Sequence, residues 1–291
     1  MRRLLAALVT LFATIPALAQ LITITPAAPG PWTFNASASA NPAPPAAYIA
    51  PGFETPPLGI GSAHLTPGSD GALNAQVRNT AFAGTRLDSI TALSYSTYVD
   101  VDGSGGQAPF MNLLIDQDGD GVSDDQLFFE PAYQTGSYPG DPVPNQGAIQ
   151  LRTWQTWDAL VGGWWSLDAG TFGPPLVTLA SYISMFPNAT IVNTAGGLGG
   201  LRIITGTGAG AWNNFLGATD NVTIDTTAIV PITYDFEPLA GNVITVTTAD
   251  LDGWTLQTVD DGDATNTATI DIVAGPGTPP HGELQAAVAE G

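Results

Sequence analysis

FMNLLIDQDGDGVSDDQLFFEP, the stretch from Phe110 to Pro131, decides the fold of this chain. Two apolar runs, 111–115 and 126–129, flank a loop in which aspartates stand at alternate positions from 116 to 120. Short apolar runs on either side of a turn rich in Asp and Gly are typical of a β-hairpin. The stretch therefore predicts two antiparallel strands joined by an acidic loop.

The acidic loop has the composition of a Ca²⁺ site, because this ion prefers carboxylate and carbonyl oxygens as ligands. The candidate ligands are four carboxylates and one backbone carbonyl, from Asp116, Asp118, Asp120, Asp124 and Val122. Gly121 permits the sharp turn that such a loop needs. An EF-hand loop would lie between helices and end in a glutamate, where this chain has Leu127. The alternative interpretation is a plain acidic turn without an ion, since Asp and Gly are common turn residues.

The first 19 residues have the features of a secretory signal peptide. Arg2 and Arg3 precede an apolar run from Leu4 to Ile15, and the small residues at 17–19 fit a cleavage site. The apolar run is too short to span a bilayer. We therefore expect residues 1–19 to be removed from a secreted protein, located outside the cell or on its surface and not inserted in a membrane.

Charge and cysteine content narrow the range of functions. The chain has no cysteine, which excludes disulfides, thiolate zinc sites and cysteine nucleophiles. It has no lysine, and removal of the leader leaves four arginines against 26 acidic residues, a formal net charge of −22. Nucleic acids and anionic membranes bind through basic patches, so neither is an expected partner.

Past the leader, short apolar runs alternate with Gly, Pro, Asn and Ser. Candidate strands are 21–25, 32–35, 62–65, 73–77, 89–100, 111–115, 126–129, 148–153, 154–158, 189–192, 201–205, 221–225 and 232–236. One helix is indicated from Leu176 to Phe186, with Thr178 suited to its N-cap. The pattern predicts an all-β fold, an antiparallel sandwich or jelly roll with one short helix, over residues 20–238.

The chain then repeats itself. LITITPAAPGPWTF at 21–34 matches VITVTTADLDGWTL at 243–256, and TPPLG at 55–59 matches TPPHG at 278–282. Two matched blocks at nearly one offset indicate a duplication. We expect a linker at 239–242 and the truncated start of a second, repeated sandwich domain at 243–291. Because so small a unit buries little apolar surface, its strands should pack poorly or lean on the first domain.

The D-x-D-x-D-G-x-x-D spacing of the acidic hairpin resembles the calcium hairpins of integrin-type propeller blades and thrombospondin type 3 repeats. With the blocks WQTWD at 154–158, Trp164-Trp165, FLGATDNVTI at 215–224 and YDFEP at 234–238, the hairpin also resembles secreted bacterial β-sandwich accessory domains. These are of jelly-roll, concanavalin A-like or carbohydrate-binding-module-like type. The resemblance implies a sandwich fold and an accessory role in a multidomain surface protein, without an assigned activity.

Four tryptophans fall within twelve positions, at Trp154, Trp157, Trp164 and Trp165. Flat aromatic rings stack on sugars, so these four are candidate ligand-binding residues, with core packing as the alternative. Consecutive strand residues point to opposite faces, so one of the adjacent pair should be buried and the other more exposed. The expected partner is a polysaccharide or a cell-surface or matrix component.

Catalysis has little support in the sequence. The two histidines, His64 and His281, stand beside no nucleophile motif. The carboxylates considered for glycosidase chemistry are Glu54, Glu130, Glu237, Asp158 and Asp168, and none is assigned a catalytic role. We therefore expect a calcium-binding, non-catalytic carbohydrate or adhesion module. The alternatives are a jelly-roll carbohydrate-active hydrolase and a structural spacer.

Overall fold

The computed structural model describes residues 20–103, 105–170, 172–207, 209–227, 229–238, 254–260 and 268–274. The predicted leader, the predicted linker and most of the predicted second copy lie outside these ranges. The strands are β1 (Gln20–Ile24), β2 (Trp32–Ala36), β3 (Ala46–Pro51), β4 (Gly61–Thr66), β5 (Asn74–Asn79), β6 (Ile90–Val101), β7 (Phe110–Asp116), β8 (Asp125–Phe129), β9 (Gln155–Asp158), β10 (Gly163–Ser166), β11 (Val177–Thr178), β12 (Thr190–Ile191), β13 (Leu201–Gly206), β14 (Leu216–Thr226), β15 (Ile229–Phe236), β16 (Trp254–Asp260) and β17 (Ala268–Ala274). The α-helix is α1 (Leu179–Met185).

The first fifteen strands form two sheets that share one core. In the eight-stranded sheet, here the hairpin sheet, the order is β11-β10-β8-β7-β13-β5-β2, with β12 beside β7. In the seven-stranded sheet, here the forked sheet, β14 pairs along its length with β6, which pairs with β9. On its other side β14 pairs first with β4 and then with β15. Every pair in both sheets is antiparallel except β1 with β15, which confirms the predicted all-β sandwich.

Alternate residues of the two sheets build the core between them. The inward side chains include Trp32, Val77, Met111, Leu113, Leu127, Phe129, Trp164 and Ile203 from the hairpin sheet and Leu65, Leu93, Tyr95, Trp157, Val222, Ile224, Tyr234 and Phe236 from the forked sheet. Trp32 crosses the interface, with its ring 5.2 Å from the rings of both Tyr234 and Phe236. Period-2 alternation thus places the apolar set on one face of each sheet.

The predicted helix exists but begins later than expected. Thr178 is its N-cap, and the Thr178 hydroxyl accepts a hydrogen bond from the Ser181 N–H at 3.1 Å. The prediction of helix over 176–178 is wrong, because Val177 and Thr178 pair with β10 as β11. No described helix is long and apolar enough to cross a membrane.

The strand predictions also need correction. Residues 148–153 form no strand. The Gln155 side chain instead bonds two backbone groups of this segment. Its Oε1 accepts from the Gln150 N–H at 2.7 Å and its Nε2 donates to the Ala148 carbonyl at 2.9 Å. Such side-chain bonds compete with a strand ladder. Conversely, β3 lies between two proline-rich loops, where the sequence pattern predicted no strand.

Strands β16 and β17 pair with each other as an antiparallel hairpin. By the offset of the repeat they are the counterparts of β2 and β3. In the first domain β2 and β3 belong to different sheets, where β2 pairs with β5 and β3 with β4. The matched segments therefore differ in strand pairing: β16 pairs with β17, whereas β2 and β3 pair with other strands.

Candidate metal and ligand sites

The acidic loop between β7 and β8 brings three predicted metal ligands together. One carboxylate oxygen from each of Asp116, Asp118 and Asp120 lies within 4.8 Å of the other two. Asp116 is buried at the end of β7, whereas Asp118 and Asp120 are exposed. Gly119 and Gly121 have φ of +89° and +87°, a left-handed conformation that favours glycine. The alternating aspartates and glycines therefore fold the loop around a cluster of carboxylate oxygens.

Backbone N–H groups of the loop donate hydrogen bonds to the Asp116 carboxylate. Its Oδ1 accepts from Gly119 at 2.6 Å and its Oδ2 accepts from Gly121 at 2.8 Å. Desolvation raises the pKa of Asp116, but these and neighbouring N–H groups together outweigh it, and the pKa lies below its ordinary value. An ionised carboxylate offers further lone pairs beyond those it uses here. The loop therefore presents a preformed cluster of carboxylate oxygens that suits a hard cation such as Ca²⁺.

The remaining two predicted ligands are placed differently. The Asp124 Oδ2 accepts from the Gln117 N–H at 2.8 Å, so Asp124 closes the base of the loop. It is not one of the three clustered carboxylates. Val122 has an exposed side chain, and its N–H donates to the Asp120 Oδ1 at 2.8 Å.

Asp125, the residue after Asp124, is a buried acceptor that sequence reasoning missed. Its Oδ2 accepts from the Ser166 hydroxyl at 2.6 Å and from the Tyr182 hydroxyl at 2.8 Å. Its Oδ1 accepts from the N–H groups of Gln126 and Asp168. Burial is the main cause that raises the pKa of the Tyr182 hydroxyl, and that hydroxyl also accepts from the Gln117 amide at 2.9 Å. This aspartate network ties the acidic loop to β10 and α1.

The four predicted tryptophans do not form one platform. Trp157 and Trp164 are fully buried in the core. Trp154 lies on the outer side of the forked sheet, where its Nε1 donates to the Phe53 carbonyl at 2.8 Å and its ring contacts Tyr98. Trp165 lies on the outer side of the hairpin sheet. Trp164 and Trp165 face opposite ways as predicted, but Trp165 is only 7% exposed, so the predicted contrast in exposure is small.

Trp165 lines a pocket rich in aromatic residues. Its ring stacks on Phe128 with centroids 3.9 Å apart and planes 3° apart. The pocket, here the aromatic pocket, encloses about 400 Å³ and is also lined by Phe110, Tyr133, Phe172 and Trp212. The Phe172 side chain is 73% exposed at its rim. An apolar ligand or the apolar side of a sugar ring can stack on these aromatic rings.

Glu130 supplies the carboxylate of the aromatic pocket. It is the one acidic residue among the lining residues that the structure describes. Its Oε1 accepts from the Trp165 Nε1 at 2.8 Å. Burial raises the pKa of Glu130, and the hydrogen bond from Trp165 partly offsets that rise. The pocket therefore combines flat rings with one polar acceptor, and it lacks the second carboxylate that glycosidase chemistry needs.

Two of the other carboxylates considered from the sequence, Asp158 and Glu237, have structural partners. The Asp158 Oδ1 accepts from the N–H groups of Leu160 and Val161 in a turn. The Glu237 Oε1 accepts from the Ile60 and Gly61 N–H groups, at 2.7 and 3.2 Å. These bonds hold a turn and a loop in place.

Glu237 belongs to a cluster of three carboxylates at the fork of the forked sheet. Asp220 lies where β14 changes partner from β4 to β15, and its Oδ2 accepts from the Leu58 N–H at 3.0 Å. Asp235 is 6% exposed, and its Oδ1 is buried without a hydrogen bond. Burial, then the negative charges nearby, raise the pKa of Asp235 to about 7, and burial raises the pKa of Asp220 to about 6.

His64 is a structural residue. Its Nε2 lies 3.0 Å from the Pro51 carbonyl oxygen, and its ring stacks on Phe53 at 4.4 Å. Burial lowers the pKa of His64, so the neutral imidazole is favoured.

A second, larger groove of about 560 Å³ lies beside residues 81–86. Its cation, Arg86, is paired with Asp88 at 2.6 Å, and its aromatic residues, Phe82 and Tyr234, are buried in the core. This groove therefore offers a ligand fewer accessible groups than the aromatic pocket does.

Comparisons with protein-family models, with curated proteins and with solved structures gave no match for this chain.

Proposed function

We propose that this chain is a secreted, calcium-stabilised β-sandwich module that binds a polysaccharide without cleaving it. The observation that carries the binding role is the aromatic pocket, where Trp165 is stacked on Phe128 beside the exposed ring of Phe172. Rings held rigidly lose little conformational entropy when a ligand binds, which favours their use as binding platforms. The single carboxylate of the pocket, Glu130, supports binding over hydrolysis.

The binding role predicts that Phe172→Ala weakens polysaccharide affinity. Loss of one aromatic contact, worth about 1 kcal/mol, should weaken binding roughly fivefold to tenfold. Because Phe172 is largely exposed, its truncation should leave the melting temperature unchanged. The measurement is titration calorimetry against a panel of soluble glucans, xylans, mannans and oligogalacturonates, with tryptophan fluorescence as a second readout.

Leu151→Ala is the matched control, since Leu151 is another exposed apolar residue but does not line the pocket. If Phe172→Ala and Leu151→Ala bind every glycan as the wild type does, the pocket is not the binding site. Reducing-sugar release that is lost in a Glu130→Gln variant would instead favour the hydrolase alternative.

The calcium role predicts a higher melting temperature in millimolar CaCl₂. Ca²⁺ binding should offset the repulsion among the clustered aspartates, and a hundredfold excess over Kd should stabilise the fold by about 2.7 kcal/mol. For a domain of this size the rise should be roughly 5–10 °C, reversed by chelator. Asp118→Asn with Asp120→Asn should abolish most of this rise, because two of the three clustered carboxylates lose their charge. The variant should still fold, because both side chains are exposed and asparagine can keep their acceptor bonds to loop N–H groups.

Asp70→Asn is the control for the calcium experiment. The Asp70 Oδ1 also accepts from an N–H two residues ahead, that of Ala72, but Asp70 lies outside the loop. An unchanged melting temperature in calcium, together with no heat of binding, would leave the loop as a plain acidic turn.

A further inference from the structure

Two arginines lie side by side on the outer face of the hairpin sheet. Arg78 on β5 and Arg202 on β13 are direct partners in the strand register. Like charges directly opposite each other destabilise a sheet. The chain carries a net charge of −20, yet within the described ranges neither arginine forms an ion pair with a carboxylate. The pair is therefore an uncompensated positive charge on an otherwise acidic protein.

Both guanidinium groups keep unused hydrogen-bonding capacity. The Nε atom of each is buried without a partner. Arg202 is 9% exposed, and its Nη2 donates to the Asn112 Oδ1 and, at 2.8 Å, to the Gln126 Oε1. Neutral amides therefore fix the Arg202 side chain without cancelling its charge. The Arg78 side chain is half-buried and makes no hydrogen bond to the part of the chain that the structure describes, so its guanidinium group can donate to a ligand.

The arginine pair is continuous with the aromatic pocket. Arg202 pairs with Asn112 on β7, Asn112 pairs with Phe128 on β8, and Phe128 pairs with Trp165 on β10. Directly paired residues share a face, and adjacent strands lie about 4.8 Å apart. These residues, from Arg78 to Trp165, form one row, here the arginine–aromatic row. Across four strand spacings it is roughly 19 Å long.

We propose that the arginine–aromatic row binds an anionic glycan, with a sugar ring at the aromatic pocket and a carboxylate or sulfate group at Arg78 and Arg202. A guanidinium group can bind such an oxyanion through two parallel hydrogen bonds. The anion would also offset the repulsion between the two arginines. This inference rests on the proposed polysaccharide-binding function and adds the charge of the ligand to it.

The test compares a short oligogalacturonate with its carboxyl-reduced, neutral counterpart, by titration calorimetry at fixed free calcium. The wild type should bind the charged oligosaccharide at least tenfold more tightly. Arg78→Gln should bring the two affinities close together by weakening only the charged ligand. The variant should melt no lower than the wild type, because Arg78 has no partner to lose. A sulfated galactan oligosaccharide, run in parallel, identifies sulfate as the recognised group if it binds more tightly than the uronate.

Arg152→Gln is the matched control, because it removes the same charge from an exposed arginine that is paired with Asp100 at 3.4 Å. It should keep the preference for the charged glycan. Equal affinities of the wild type for charged and reduced oligosaccharides would overturn the anionic preference, as would an equal loss in Arg152→Gln. Either result would leave intact a proposed function that depends on Phe172. Absence of binding to every glycan would instead overturn the proposed function itself.

Discussion

Replacing Asp125 with alanine will lower the free energy of unfolding by about 3–5 kcal/mol. The Asp125 carboxylate is 3% exposed and accepts the hydroxyls of Ser166 and Tyr182 from two other elements. Its removal takes the acceptor away from the buried Tyr182 hydroxyl and the partly buried Ser166 hydroxyl, and each donor left without an acceptor costs about 1–3 kcal/mol. The melting temperature should fall by roughly 10 °C or more. Thermal and urea unfolding in calcium-free buffer measure both quantities.

Asp124→Ala is the control for this variant, because it removes the neighbouring carboxylate in the same loop. Asp124 is exposed and accepts one hydrogen bond, from the Gln117 N–H, so its loss should cost about 1 kcal/mol or less. If Asp125→Ala unfolds no more easily than Asp124→Ala, the aspartate network does not hold the acidic loop to β10 and α1.

Stability should fall as the pH rises from 6 to 8. Burial and neighbouring negative charge raise the folded-state pKa of Asp235 to about 7, and burial raises that of Asp220 to about 6. Unfolded aspartates titrate near pH ~3.9, so between about pH 4 and 7 the folded state binds more protons than the unfolded state. The protonated carboxyls therefore stabilise the fold fully below about pH 4, and this stabilisation is lost as the pH rises through 6 and 7. Between pH 6 and 8 the expected loss in the free energy of unfolding is about 1–2 kcal/mol.

Asp235→Asn should flatten this profile and raise the melting temperature at pH 8. The asparagine keeps the shape of the side chain but carries no charge next to Glu237. Asp225→Asn is the control, since Asp225 is a half-buried aspartate on β14 outside the cluster. His64 acts in the opposite direction below pH ~6.5, because its lowered pKa favours the neutral ring, so it partly offsets the loss of stability between pH 6 and 6.5. A wild-type melting temperature that is constant or rises from pH 6 to 8 would contradict the raised carboxyl pKa values.

The features that could be predicted from sequence are those set by neighbours along the chain. The apolar runs around the acidic loop indicate β7 and β8, and the alternation of a strand places Trp164 and Trp165 on opposite faces. The Thr178 cap follows from the residues that come directly after it. Each of these depends on local spacing, which one sequence displays.

The features that could not be predicted depend on register between distant strands. Asp125 accepts hydrogen bonds from Ser166 and Tyr182, which lie 41 and 57 positions after it in the sequence. The contact between Arg78 and Arg202 arises only once β5 and β13 are aligned. The near-complete burial of Trp165 likewise depends on Phe128, its partner across β8 and β10. No local pattern encodes these alignments, so composition shows the charges and rings but not which of them meet.

The parallel pairing of β1 with β15 fixes how the sandwich would respond to tension. The register runs from Gln20 opposite Ile232 to Ile24 opposite Phe236, so the chain enters at one end of this ladder and leaves at the other. A pull on the two ends would slide one strand along its neighbour and load all of their hydrogen bonds together. An antiparallel arrangement of the first and last strands would instead let them peel apart one bond at a time. In a tandem array of such domains, the β1–β15 ladder would carry the mechanical load of each domain.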